Sequence, residues 1–312
     1  MPAWSVADAP SQSGRTALVT GATSGLGLET AKALASRGAH VLVAGRDPDR
    51  TAAAVAAVAA SAAEGGSAEP LALDLASLAS IEAAARDVIE RHEVLDLLVN
   101  NAGVMAPPYG RTQDGFETQI GTNHLGHFAL TAGLMPALLA SQAPRVVTVS
   151  SGAHRMGSID PDDLHYQRRR YSSWPAYGAS KLANLLFTAE LHRRAEQAGT
   201  HLVAVAAHPG WAATNLQYSG PRYAKNLVGR MVTRAANGLL AQSAADGALP
   251  QTYAATMPDV VGNEYFGPDG LGESRGGPTR VGRSSAAGDA AMARRLWDVS
   301  ADQTNANPAF AR

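Results

Sequence analysis

The chain has 312 residues, 46% of them hydrophobic and 17% charged, with a formal net charge of -1. That composition supports a sizeable core and excludes both a disordered chain and the strongly basic surface that nucleic-acid binding needs. There are no cysteines, so a disulfide framework, a thiolate zinc site, an iron–sulfur cluster and a cysteine nucleophile are excluded together. The length could hold two domains, but one large domain with insertions accounts for it equally well. The first residues, MPAWSVADAPSQSG, carry neither a basic n-region nor an apolar h-region, and the apolar run from His127 to Ala140 is too short to span a bilayer. A cytoplasmic protein without a membrane span is the expectation.

Short branched-aliphatic runs alternate with Ala-rich stretches of helical period, the pattern of βα units feeding a parallel sheet. Residues 1–13 read as an extension. Strands are predicted at Thr16 to Gly21, His40 to Gly45, Pro70 to Leu75, Leu95 to Ala102, Pro144 to Ser151 and His201 to His208, and their nearly continuous apolar character suits strands buried on both faces. Helices are predicted between them at Leu26 to Ser36, Asp49 to Ala63, Leu78 to Arg91, Phe116 to Leu139 and Ala176 to Ala198. The result is a doubly wound α/β sheet of Rossmann type in a single domain over 14–312, with right-handed crossovers. Two segments break the rhythm, a polar one at 154–175 and another at 211–237, and with the Gly-rich Gly267 to Pro278 they would border a pocket beyond the carboxyl ends of the strands. The triplet Arg168, Arg169 and Arg170 reads as a solvated loop.

The first chemical motif, TGATSGLG from Thr20 to Gly27, follows a strand and opens a helix. Gly21, Gly25 and Gly27 allow a tight turn and close backbone approach, while Thr23, Ser24 and Leu26 bring the first free helical N–H groups to a pyrophosphate. A second motif is the pair Tyr177 and Lys181. With 8 tyrosines and 3 lysines in the chain, about 0.08 such i, i+4 pairs are expected by chance. The spacing puts both on one helical face, so the ammonium is expected to lower the phenol pKa from roughly 10 toward neutrality and let it exchange a proton with an alcohol or carbonyl.

The TGxxxGxG spacing resembles the short-chain dehydrogenase/reductase family, and further motifs follow in family order from about Gly14 to Pro268. Asn100-Asn101-Ala102-Gly103 is similar to the family's NNAG, which supports the sheet and the adenosine side of the cofactor. Asp74, with Leu75, matches the acidic residue that meets the adenine, and Asn123 matches the asparagine of a catalytic water relay. Ser151, Tyr177 and Lys181 match the catalytic serine and YxxxK. His208-Pro209-Gly210 with Thr214 matches the PG segment whose threonine contacts the nicotinamide carboxamide. Of the adjacent Ser150 and Ser151 only one can face substrate, because successive strand residues point to opposite faces. VSSGAH, the long loop before the tyrosine and YGASKLAN resemble the retinol dehydrogenase-like branch, in which the second serine acts; that selects Ser151.

At the tip of the second strand Gly45 stands where a ribose-binding carboxylate would be, followed by Arg46, which can pair with a 2′-phosphate. NADP(H) is therefore expected over NAD(H). Asp47 leaves two alternatives open, turning to the ribose or neutralising Arg46. No metal is expected: there is no HExxH or EF-hand pattern, and His124 with His127 lacks a third ligand. His154 and Trp211 stand where substrate could pass, with packing as the other reading.

The resemblance implies an oxidoreductase in which hydride passes between nicotinamide and a carbonyl carbon, Tyr177 moves the proton, Ser151 holds the oxygen, Lys181 binds the nicotinamide ribose and tunes Tyr177, and Asn123 organises water. The partner is a small-molecule alcohol or carbonyl, lipophilic by the branch resemblance. The alternative is a non-catalytic NADP-binding sensor or scaffold on the same fold. The family also implies a homo-oligomer through the two long helices, with the 154–175 loop able to obstruct one face.

Overall fold

The computed structural model describes residues 4–210 and 242–310. Trp211, Thr214 and the 211–237 loop lie outside these residues. The described chain runs β1 (Thr16–Thr20), α1 (Gly25–Ser36), β2 (His40–Gly45), α2 (Pro48–Ala59), β3 (Ser67–Ala72), α3 (Leu78–Arg91) and β4 (Leu97–Asn100). Then comes α4, made of Thr118–Ile120, a π-helical turn Gly121–Leu125 and Gly126–Ala140. It is followed by β5 (Arg145–Val149), a 3-10 turn Gly152–Met156, α5 (Ser173–Gln197) and β6 (Val203–Ala207). The remaining main elements are α6 (Ala244–Thr256), β7 (Tyr265–Pro268), β8 (Pro278–Arg280) and α7 (Ala290–Thr304).

The eight strands form one sheet in the order β3-β2-β1-β4-β5-β6-β7-β8. Every pairing is parallel except β7 with β8. Successive strand residues feed opposite layers: Leu18, Leu98 and Val146 pack with the residues of α3, α4 and α5, whereas Val19, Val99 and Val147 pack with those of α1, α2 and α6. Both layers are apolar, which is why the strands read as unbroken hydrophobic runs.

Three differences from the sequence reading have physical causes. The third strand begins at Ser67 and ends at Ala72, earlier than expected, because β3 is an edge strand that needs no continuous apolar run and tolerates Pro70 in its interior. The apolar residues after it, Leu73 and Leu75, belong to the turn that Asp74 organises. Strands β7 and β8 and helices α6 and α7 were not anticipated; the two strands have only four and three residues and carry Gly and Pro.

The two long helices named for association carry a further helix of this chain. Helix α7 lies along α5, with Trp297 stacked on Phe187 at 5.9 Å and edge-on to Phe128 at 5.0 Å. The Arg194 guanidinium caps the other side of that indole at 4.6 Å, and His124 Nε2 contacts Ser300 Oγ at 2.9 Å. The chain's own C-terminal helix thus covers the aromatic seam between α4 and α5, and association through that seam would first require α7 to leave.

Candidate active site

The carboxyl ends of β1, β4, β5 and β6 carry the motifs to one edge of the sheet. Thr20 closes β1, and its Oγ1 accepts from the backbone N–H groups of Asn101 and Ala102, both at 2.9 Å. The Asn101 amide returns a bond to Thr20 O at 2.8 Å, so the glycine-rich turn and the NNAG segment are joined. Gly21 has φ +64°, and a Cβ there would meet Ala102. Gly27 is needed for a different reason: a Cβ would lie 2.5 Å from Asn101 Nδ2 and from Gly21 O. Ser24 stands at the N-cap of α1 but makes no side-chain cap bond, which leaves first-turn N–H groups facing the turn. This arrangement fits a dinucleotide pyrophosphate.

At the end of β2, a Cβ on Gly45 would come within 2.5 Å of Thr23 Cγ2 and Thr51 Oγ1, so a carboxylate there would force both threonines aside. Arg46 is exposed, with no ion-pair partner among the described residues. Asp47 makes no ion pair with Arg46 among the described residues. It is the N-cap of α2, accepting from Arg50 N at 3.0 Å. Asp74 is likewise held in a turn, accepting from Ala76 N at 3.0 Å, and Leu75 is buried beneath it.

The reacting groups come from β5, the turn after it, and α5. Ser150 points inward, its hydroxyl donating to Lys181 O at 2.8 Å. Ser151 starts the 3-10 turn and accepts from Ala153 N at 3.2 Å, and its hydroxyl favours the ionised form of the buried Tyr177 phenol. The two serines thus have different partners, Ser150 on α5 and Ser151 within its own turn. Lys181 Nζ donates to Val149 O at 3.0 Å and lies 5.8 Å from the Tyr177 ring centre. Gly103 gives Asn123 room, since a Cβ there would lie 3.1 Å from Asn123 Oδ1.

The electrostatics correct one expectation. Burial pushes the Tyr177 phenol up to about 12, opposed by the Ser151 hydroxyl, and pushes Lys181 down to about 8. The ammonium is spent on Val149 O and stands beside the ring, so in this arrangement desolvation outweighs its pull on the phenol.

Asn123 is placed by the π-helical turn, a device that often marks functional positions. Its Oδ1 accepts from Val104 N at 2.8 Å, and both amide hydrogens are used, on Val104 O at 3.0 Å and Ser180 Oγ at 2.9 Å. The side chain therefore clamps the NNAG loop to α5, and its donors are not free to organise water. We place it as a positioning residue.

Several supports were given no supporting role in the sequence reading. Ser180 bridges Asn123 to Tyr177 O, and Asn184 shares Val149 O with Lys181. His127 donates from Nδ1 to Asn123 O at 3.0 Å, leaving Nε2 to accept from the Thr20 hydroxyl at 2.9 Å. Gln251 of α6 reaches Thr30 and Asn101 behind the glycine turn. The first three lie in stretches already marked by motifs, but only contacts across the sheet reveal their roles. Gln251 had no local signal.

Around the site, His154 is buried, with Nδ1 donating to Ser151 O at 2.7 Å and Nε2 accepting from Ser284 N at 3.1 Å. Pro209 O accepts from Gln242 at 2.5 Å, and Gly210 takes φ +64° after His208. Of the arginine triplet, Arg169 folds inward against Asp163 and over Tyr166, building the 154–175 loop.

The model of the short chain dehydrogenase family matches residues 15–222. The chain belongs to the short-chain dehydrogenase/reductase family, and to its retinol dehydrogenase-like branch. It is similar to retinol dehydrogenase 13 of Homo sapiens, 41% identical over 294 residues, covering 92% of this chain and 84% of that one. Among solved structures, an uncharacterized protein of Mycobacterium Paratuberculosis is 44% identical with a TM-score of 0.81, covering 98% of this chain and 99% of that one. A Beutenbergia cavernae protein, described as an NAD(P) dependent gluconate 5-dehydrogenase and solved with bound NADP, is 27% identical with a TM-score of 0.61, covering 79% and 91%. The chain is an NAD(P)-dependent oxidoreductase, which sets aside the reading as a non-catalytic sensor.

Proposed function

We propose that this enzyme prefers NADP(H) and interconverts a lipophilic alcohol and its carbonyl. The observation that carries the chemistry is the buried ammonium of Lys181 5.8 Å from the buried Tyr177 ring, with Ser151 opening the turn after β5, at the end of the sheet where the glycine turn opens. Arg46, exposed and without an ion-pair partner among the described residues, with Asp47 Oδ1 capping α2, supports the 2′-phosphate. The apolar Trp174 and Met156, 49% and 58% exposed, support the substrate class: Trp174 lies edge-on to Tyr177 at 6.1 Å, and Met156 contacts the next residue, Gly178. The name of the human relative points the same way.

When bound, the nicotinamide supplies or accepts the hydride. The residues that would hold it are the α1 turn, Arg46, Asp74, the NNAG segment, Lys181 and the Pro209-Gly210 end of β6. In the reductive direction Ser151 donates a hydrogen bond to the carbonyl oxygen and fixes its position, so that charge developing there is met by a preoriented donor. Tyr177 then gives that oxygen its phenolic proton; its raised pKa keeps the proton in place until oxygen charge builds. Lys181 holds a positive charge near the phenolate left behind.

Replacing Tyr177 by Phe removes the proton and keeps the ring. Turnover of NADPH with a lipophilic aldehyde such as retinal should fall by about 100-fold or more. NADPH affinity, followed by fluorescence titration, should stay within about threefold. Turnover within tenfold of wild type would place proton transfer elsewhere, and wild-type turnover of polar sugars alone would overturn the substrate class.

A further inference from the structure

At the amino ends of β2 and β3, opposite to the dinucleotide turn, three side chains from three elements converge. His40 opens β2, Glu69 is the third residue of β3, and His92 follows the last residue of α3. The register pairs His40 with Ser67, so Glu69, two residues on, shares their face of the sheet. One ligand atom from each of the three lies within 4.8 Å of the others.

The carboxylate is already divided between the imidazoles. Glu69 Oε1 is 2.8 Å from His92 Nε2, and Oε2 is 3.6 Å from His40 Nε2. Tetrahedral coordination with bonds of about 2.0–2.1 Å sets ligand atoms roughly 3.3 Å apart, so the three ligand atoms, within 4.8 Å of one another, need close only slightly on an ion. His40 Nδ1 is held by Ser67 Oγ at 2.7 Å, the outer contact that orients a ligating imidazole and leaves Nε2 turned to the carboxylate. The side chains are 16% to 28% exposed, half-buried yet open enough for water to complete the shell.

We propose that His40, Glu69 and His92 bind a divalent zinc-type ion that clips the edge strand β3 to β2 and to the end of α3. Two imidazoles and a carboxylate with one open position form a set well suited to zinc. Arg91 competes: its NH1 contacts Glu69 Oε1 at 2.6 Å. Its Nε and NH2 rest on Asp87 at 2.9 and 2.5 Å, so the guanidinium keeps a partner when the metal takes the carboxylate. That competition weakens binding of the ion. The 29-residue and 23-residue separations of the ligands explain why no local spacing motif announces them.

The test is calorimetric titration of the untagged full chain with Zn²⁺, with Co²⁺ absorption as a readout of the ligand field. One ion per chain is expected, with a dissociation constant of about 10 µM or tighter. Binding should weaken at least tenfold in His40→Ala and in His92→Ala, and stay unchanged in His201→Ala, an exposed histidine outside the cluster. NADPH binding by each variant confirms that it is folded. Zinc should also raise the melting temperature of wild type, reversed by chelator, and leave that of the two cluster variants unmoved. No binding below about 100 µM, or binding that survives either cluster substitution, overturns the proposal.

Discussion

The proposed NADP(H) preference and cofactor capture rest on two single side chains, Arg46 and Lys181. A partly exposed guanidinium on a phosphate contributes on the order of 1.5–3 kcal/mol. Arg46→Ala is therefore expected to weaken NADPH roughly 10- to 150-fold and to leave NADH nearly unchanged, as read by fluorescence titration of both cofactors. Equal loss of both would mean that Arg46 does not contact the 2′-phosphate. Lys181 sets a pH limit. Burial brings its ammonium down to about 8, so it is charged below that pH and loses its proton above it. In carbonyl reduction, kcat/KM for NADPH should be level below pH 8 and fall above it, because that parameter reports the free enzyme. In Lys181→Met the break near pH 8 should vanish and the value should be low throughout. A wild-type profile flat to pH 10 would remove the ammonium from cofactor capture.

Among the elements, α4, α5 and α7 act as one body. Helix α5 was legible from YGASKLAN, and the structure starts it at Ser173. Its company was not legible. The family resemblance implied a second copy of the chain on the long helices, whereas α7 brings Trp297, 2% exposed, onto Phe128 and Phe187. Truncating such a side chain costs about 3–5 kcal/mol. Trp297→Ala should lower the free energy of unfolding by that amount, read from denaturant melts. If α7 is what covers the seam, the variant should also self-associate, measured by light scattering across a concentration series. A loss below about 1 kcal/mol would mean that α7 is only loosely applied.

The molecule as a whole carries a pH dependence stored in buried imidazoles. His124 is pushed down to about 3 and His127 and His208 to about 4, each first by burial. His208 takes Gly210 N–H on Nδ1 and meets Glu273 Oε2 from Nε2 at 3.0 Å, off the line of a hydrogen bond, so the short contact does not hold it charged. The sign follows from those lowered values. Above pH 6.5 both folded and unfolded chains hold these rings neutral and the full stability is present. Between 6.5 and about 4 the unfolded chain takes up protons that the fold excludes, so stability falls as pH falls. Calorimetry at pH 5 should find uptake of about three protons on unfolding from these residues, one per histidine. A melting temperature that does not change between pH 7 and 5 would mean that they titrate normally in the fold.

The order of βα units, the glycine turn, the NNAG segment and the Ser151–Tyr177–Lys181 set were all present in the chain as text, because each depends on local spacing. A strand buried on both faces must be apolar, a phosphate turn needs glycines at set offsets, and a residue pair at i, i+4 shares a helical face. The start of β3 was hidden because an edge strand has no continuous apolar demand, and β7 and β8 because strands so short hold almost no pattern. The clamp role of Asn123, the cap at Asp47, the division of labour between Ser150 and Ser151, and the desolvation that raises Tyr177 depend on groups far apart in sequence. So does the meeting of His40, Glu69 and His92. Distance and burial set hydrogen-bond partners and pKa values, and neither is defined until the sheet has closed and the helices have packed on it.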